Sequence, residues 1–112
     1  EMGSHVCLNC SILTTVEIPN GVKSIPRNAF RHCKALRTIH IPDSVISIDG
    51  AAFSHCDLLT DIVLPKNLRG IGRSAFAECR QLESIHIPDS VTRIGRQAFM
   101  KCRQLATVRL PQ

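Results

Sequence analysis

The heptapeptide IHIPDSV occurs twice in this 112-residue chain, at residues 39–45 and again at residues 85–91. The two copies start 46 residues apart, which is twice 23, and the interval of 23 governs the other recurrent residues as well. No insertion or deletion breaks this register. A fixed period of this size indicates a stack of repeats, in which each coil buries its apolar side against the next coil.

Residues that occupy the same position in successive repeats form columns, and the strictest columns are apolar. They include five of the six prolines, all four phenylalanines and five of the six cysteines. The columns are Leu13, Leu36, Leu59, Leu82 and Leu105; Pro19, Pro42, Pro65, Pro88 and Pro111; Ala29, Ala52, Ala75 and Ala98; Phe30, Phe53, Phe76 and Phe99; and Cys10, Cys33, Cys56, Cys79 and Cys102. We interpret them as the ladders of a continuous core.

Each repeat has two arms. In LRTIHIP, residues 36–42, apolar and polar residues alternate, which predicts a short β-strand that ends at the proline. The second arm has apolar residues at Ile25, Ala29 and Cys33, a spacing that predicts one or two turns of α- or 3₁₀-helix facing the core. The expected fold class is therefore an α/β solenoid with one short parallel strand and one short helical turn in each coil.

The repeat LxxIxIPxxVxxIGxxAFxxCxx, clearest in IHIPDSVTRIGRQAFMKC at residues 85–102, resembles the BspA-like subclass of leucine-rich repeats. The resemblance covers nearly the whole chain and implies a right-handed solenoid with its parallel strands on the concave side. The commoner leucine-rich pattern keeps an Asn or Cys three residues after its last strand leucine. The usual Asn ladder is absent here, since this slot holds Gly21, Ser44, Asn67 and Ser90.

The repeats divide the chain into a single array that spans residues 1–112. We expect a partial first coil at 1–12, full repeats at 13–35, 36–58, 59–81 and 82–104, and a partial last coil at 105–112. Residues 1–10 align in phase with residues 93–102, so we interpret the N-terminus as native repeat sequence rather than as a purification tag.

Composition and motifs argue against catalysis. The sequence has no GxSxG, HExxH or Walker-type phosphate loop, so we expect no enzyme activity and no cofactor. It also has no apolar run of the ~18 residues that a membrane span requires. The net charge of +5 favours anionic partners, but the basic residues do not form a continuous run.

The cysteines and histidines have structural explanations. Neighbouring side chains in the cysteine column point in parallel, whereas a disulfide or a zinc site needs them to converge, so we expect reduced and buried thiols. Cys7 and Cys10 form a CxxC pair on the first coil, a weak signal for redox or metal chemistry whose alternative is a degenerate terminal coil. His32 and His55 share a column and are expected to stack at the surface, without a metal.

Two surfaces are candidates for binding. The outward strand positions vary between repeats while the core columns do not, as expected of a framework with a free face. We call these positions the strand face: Thr15, Glu17, Thr38, His40, Asp61, Val63, Ser84, His86, Thr107 and Arg109.

The second candidate surface is basic and would bind a polyanion. Its residues lie in two columns: Arg27, Arg73 and Arg96; and Lys34, Arg80 and Arg103. Asp57 and Glu78 interrupt it, and every aromatic residue belongs to the core column, which leaves no platform for stacking bases. We therefore expect only weak binding of polyanions.

The favoured function is a non-catalytic scaffold that binds a protein on its strand face. The family resemblance implies a segment of a larger cell-surface or secreted, adhesin-like protein. The alternatives are a structural spacer in a multidomain protein and a weak polyanion binder. We expect no specific nucleic-acid partner and no membrane span, and end-to-end self-association through uncovered terminal coils is a further expectation.

Overall fold

The computed structural model describes residues 12–60, 62–105 and 107–109, the last three through their backbone. The predictions for Cys7, Cys10 and Asp61, and for the side chains of Thr107 and Arg109, therefore lie outside the described residues. Within the described ranges there is no helix, and so none that could cross a membrane.

The described residues form eight short strands, which pair in parallel. The strands are β1 (Thr15–Glu17), β2 (Ser24–Ile25), β3 (Thr38–His40), β4 (Ser47–Ile48), β5 (Gly70–Ile71), β6 (Ser84–His86), β7 (Arg93–Ile94) and β8 (Thr107–Arg109). The first-arm strands pair as β1–β3 and β6–β8, and the second-arm strands form one sheet in the order β2–β4–β5–β7. The register joins residues 23 positions apart, as in Ile25 beside Ile48, so the predicted stacking of parallel strands is confirmed.

The predicted helical turn in the second arm is wrong. Consecutive tight turns take its place, as where the Ala29 N–H donates to the Pro26 carbonyl at 3.1 Å. The N–H groups of alternate residues point instead to the next coil, for example from Phe30 to the Ala52 carbonyl at 2.8 Å. A helix would use these N–H groups within its own segment, so helical pairing and pairing between coils exclude each other.

The apolar spacing that suggested a helix has another origin. Ile25, Ala29 and Cys33 are all fully buried, so the predicted inward positions are confirmed. A run of tight turns also returns the chain to the same face every four residues. The spacing therefore identified the buried positions and left the backbone conformation undetermined.

Two columns of non-glycine residues adopt the left-handed backbone conformation, with φ between 58° and 63°. They are Asn28, Ala51, Ser74 and Gln97, and His32, His55, Glu78 and Lys101. This conformation costs about 1–2 kcal/mol for a residue with a Cβ. It is retained because it turns alternate N–H groups toward the neighbouring coil, where the inter-coil hydrogen bonds offset the strain.

The core is a set of ladders that run through the stack. The rings of Phe30, Phe53, Phe76 and Phe99 lie nearly parallel, with successive centroids 5.5, 5.3 and 5.6 Å apart. The first three rings are buried and the fourth is half-buried. The phenylalanine column predicted from the sequence is confirmed as the centre of the core.

The cysteine ladder is hydrogen-bonded from coil to coil. The Sγ of Cys56 donates to the Phe30 carbonyl at 3.3 Å, and the Sγ of Cys79 donates to the Phe53 carbonyl at 3.1 Å. Burial raises the pKa of both thiols well above the usual range, which keeps them protonated as donors. Cys33, Cys56 and Cys79 are buried as predicted, while Cys102 is half-buried; no disulfide joins the described cysteines.

Serine performs the bridging that an Asn ladder would provide. The Ser44 hydroxyl accepts from the Gly21 N–H at 3.0 Å and donates to the Val22 carbonyl at 2.8 Å. The Ser90 hydroxyl lies within reach of the Lys66 and Leu68 carbonyls of the preceding coil, and its single proton serves one of them at a time. This slot, which has no continuous asparagine ladder, therefore still ties neighbouring coils together.

Candidate binding surfaces

The strand face has the alternating geometry predicted for it. The parallel register places Thr15 beside Thr38 and Glu17 beside His40, and all four side chains are exposed. Between Thr38 and His40 along the strand, Ile39 is buried. Polar side chains therefore stand side by side on the outer surface of β1 and β3 while the apolar ones enter the core.

The third coil departs from the predicted strand. Residues 62–64 do not form a strand, although Ile62 and Leu64 are buried in the expected alternation and Val63 is 82% exposed between them. In the sequence, Asp61 stands where the other repeats have Thr or Ser, and aspartate is a poor strand former. Among the described residues, the first-arm strands form two separate sheets rather than one.

A cleft of about 490 Å³ lies over β1 and β3, with the third coil as its wall. We call it the strand cleft. Five predicted strand-face residues line it: Thr15, Glu17, Thr38, His40 and Val63. Asp43, Leu64 and Pro65 also line it, whereas Ser84 and His86 are exposed on β6 outside it. The strand cleft combines two carboxylates, an imidazole, hydroxyls and one exposed isopropyl group.

The two predicted basic columns are exposed, but their electrostatic settings differ. Glu78 lies beside the second column, where its carboxylate is 3.4 Å from Arg80 Nη2 and 4.0 Å from Lys101 Nζ. In contrast, none of Arg27, Arg73 and Arg96 has an ion pair within the described part of the chain. The structure therefore separates one partly neutralised column from one that carries its full charge.

His32 and His55 stack as predicted, with ring centroids 4.5 Å apart and an interplanar angle of 15°. Burial and the neighbouring His55 lower the pKa of His32. The two rings lie parallel rather than converging on one point, and the described residues include no group of three His, Cys, Asp or Glu side chains that could hold a metal ion. The stack is a surface feature of the ladder.

A second cleft, which the sequence reasoning missed, lies over β4, β5 and β7 and has a volume of about 570 Å³. We call it the glycine groove, because Gly70, Gly72 and Gly95 line it together with Ser47 and Asp49. The signal was present in the sequence as three glycines within the second-arm strands and at their ends.

Close packing explains two of these glycines. A Cβ on Gly72 would lie 2.6 Å from the Gly50 nitrogen, and one on Gly95 would clash with the Arg73 nitrogen. Gly70 is different, because a Cβ there would meet nothing closer than Arg93 Nη2 at 4.0 Å. Gly72 and Gly95 are therefore required by the approach of adjacent coils, while Gly70 leaves open space.

Comparison with known proteins agrees with this architecture. The chain is similar to a leucine-rich repeat protein from Bacteroides ovatus (41% identity, TM-score 0.94), of which it covers 28% with 98% of its own length. It is similar to the leucine-rich repeat protein of T. pallidum (38% identity, TM-score 0.95), covering 50% of that chain with 96% of its own. A leucine-rich repeat protein from Bacteroides capillosus shows 33% identity and a TM-score of 0.79, over 90% of this chain and 79% of that one.

The chain thus spans half or less of the length of the first two of these proteins. No curated protein matches it. The family model described as BspA type leucine rich repeat region matches residues 1–112 in six copies. The chain therefore belongs to the BspA-type leucine-rich-repeat family.

Proposed function

We propose that the array is a non-catalytic scaffold that binds a protein partner at the strand cleft. The observation that carries this proposal is the cleft itself, in which five of the outward positions chosen from the sequence line one depression. The repeat family suggests a protein-interaction scaffold, and the cleft supplies a place for that interaction.

The chemistry of the strand cleft suits a protein rather than a small metabolite. Glu17 and His40 stand beside each other and can accept and donate hydrogen bonds to a polypeptide. Val63 offers a small exposed apolar contact at the wall. A mixture of apolar and polar contacts of this kind is typical of interfaces between proteins.

The setting of this activity is also a proposal. The array is a segment of a longer protein, as supported by the two similar structures in which the matched region is 28% and 50% of the chain. We place that protein at the cell surface or outside the cell, with an adhesin-like role and a right-handed array whose strands face the concave side. This part of the proposal rests on the family resemblance.

A pull-down with extracellular proteins tests the proposal. The immobilised 112-residue chain is compared with a Glu17→Lys/Val63→Asp variant and with a Lys34→Ala/Arg103→Ala control on an exposed column elsewhere. We expect one or more proteins to be retained by the wild type and the control and lost from the strand-cleft variant. Retention that is unaffected by the strand-cleft variant would exclude this surface as the binding site.

A further inference from the structure

Basic residues of the second arm lie on and beside the sheet that forms the glycine groove. The exposed basic residues on and beside the sheet β2–β4–β5–β7 are Lys23, Arg27, Arg69, Arg73, Arg93 and Arg96. None of these six makes an ion pair in the portion of the chain that the structure describes. Asp49 is the sole acidic side chain among the described residues that line the groove. Arg93 is the basic residue of the lining, and Arg69, Arg73 and Arg96 are sequence neighbours of its glycines. We call these four arginines the rim.

Because glycine has no side chain, the bottom of this groove is bare backbone at Gly70, and the Arg93 guanidinium above it is accessible. Arg93 Nη2 lies 4.0 Å from the position that a Cβ on Gly70 would occupy, so this guanidinium extends over the bare backbone of the preceding coil. Arg27 extends over Gly50 of the following coil in the same way, with its Nε at 3.9 Å from the corresponding position. A ligand in the groove would meet the Arg93 guanidinium, which makes no ion pair among the described residues.

We propose that the glycine groove binds an extended acidic peptide segment of a partner protein. Carboxylates of the segment pair with Arg73 and Arg93 at the rim, and its main chain lies over the open backbone at Gly70. Arginine suits this role because its planar guanidinium can hold a carboxylate through two hydrogen bonds. The site is separate from the strand cleft, and the proposal does not depend on the function proposed for that cleft.

The lining favours a peptide over a nucleic acid or a sulfated polysaccharide. A uniform polyanion would bring negative charge against Asp49, whereas a peptide can offer a backbone N–H to that carboxylate and its own carboxylates to the rim. The four phenylalanines belong to the core ladder, with three buried and one half-buried, so they offer no exposed platform for bases.

Fluorescence anisotropy of labelled peptides tests this site on the whole 112-residue chain. The probe is a labelled octapeptide that alternates Glu with Gly, and its matched control replaces each Glu by Gln. Titrations are run at about 50 and about 150 mM NaCl, since salt screens exposed charge pairs. We expect saturable binding of the Glu peptide, weakened at the higher salt, and no binding of the Gln peptide.

Two variants separate the groove from general electrostatics. Arg73→Glu/Arg93→Glu reverses the rim, and its matched control Lys34→Glu/Arg103→Glu makes the same charge change on the other basic column. Gly70→Leu fills the groove at unchanged charge, where the structure leaves room for a side chain. We expect the rim reversal and Gly70→Leu each to raise the dissociation constant of the Glu peptide about tenfold or more. The control should raise it about twofold or less. Circular dichroism establishes that each variant remains folded.

Three results would overturn the proposal. The first is equal weakening by the rim reversal and its control, which would mean attraction to overall positive charge. The second is an absence of Glu-peptide binding at the lower salt. The third is a heparin oligosaccharide that binds more tightly than the Glu peptide and is insensitive to Gly70→Leu, which would indicate a polyanion surface.

Discussion

Replacement of Phe76 by alanine should be among the most damaging single changes in the array. The ring is fully buried and lies between Phe53 and Phe99, with centroids 5.3 and 5.6 Å away. Emptying a buried aromatic site costs about 3–5 kcal/mol, and each aromatic pair contributes about 0.5–1.5 kcal/mol beyond its buried area. Because Phe76 has a ring on both sides, we expect a loss of about 4–5 kcal/mol in the free energy of unfolding.

Alanine substitutions at two other positions provide a comparison for this loss of stability. Phe99 is half-buried and stacks on Phe76, so Phe99→Ala should cost roughly half as much. Arg73 is exposed and makes no ion pair among the described residues, so Arg73→Ala should cost less than about 0.5 kcal/mol.

Urea unfolding followed by far-UV circular dichroism measures these differences. A domain of this size is stabilised by only about 5–15 kcal/mol, so Phe76→Leu, expected to cost about 1–2 kcal/mol, gives a second measurable variant. The slope of the unfolding free energy against urea concentration is also compared between variants. Terminal coils of a repeat array can unfold separately, and this would change the slope. Equal losses for Phe76→Ala and Arg73→Ala would refute the assignment of core and surface columns.

Three further predictions follow from the ladders. In thiol labelling of the native chain, buried Cys56 should react far more slowly than half-buried Cys102, and equal rates would contradict the packing. Gly72→Ala should destabilise by about 1–3 kcal/mol in urea unfolding, because its Cβ would meet neighbouring backbone at 2.6 Å, while Gly50→Ala, with 3.4 Å available, should change stability by about 0.5 kcal/mol or less. The lowered pKa of His32 means that the unfolded chain binds its proton more readily, so stability should fall as the pH drops through about 6.5. His32→Asn, which tolerates the left-handed backbone there, should reduce this fall, and an unchanged pH profile would show that the imidazole does not contribute.

The buried side of the array was predictable from the sequence because burial constrains residue type. Phe53 and Cys56 recur at the interval of the repeat and are completely buried, and Pro42 follows the strand that alternation predicted. A core position tolerates few side chains, so its column stays recognisable in a single sequence.

The backbone of the second arm could not be predicted in the same way. The spacing of Ile25, Ala29 and Cys33 fits a helix and a run of tight turns equally well, and the choice depends on where the N–H groups donate. The left-handed conformation of His32 and Ala51 is imposed by the adjacent coils, against the usual preference of those residues. Tertiary hydrogen bonding thus determined what local propensity left open.

The candidate sites were predictable only in part. Exposure of Glu17 and His40 followed from strand alternation, but their grouping with Val63 in one cleft depends on the path of the third coil. The groove at Gly70 requires the absence of a side chain and the reach of Arg93 from a neighbouring coil. Such features arise between repeats rather than within one repeat.

The exchange of helical hydrogen bonds for bonds between coils also bears on how fast the chain acquires its structure. A helix closes loops of four residues, whereas the bonds from Asn28 to Gly50 and from Asp49 to Ile25 close loops of 22 and 24 residues. Contacts of such long separation slow folding, because a large loop must close before each of them can form. The first pair of coils to meet should be the slow step, after which each added coil finds a template already formed.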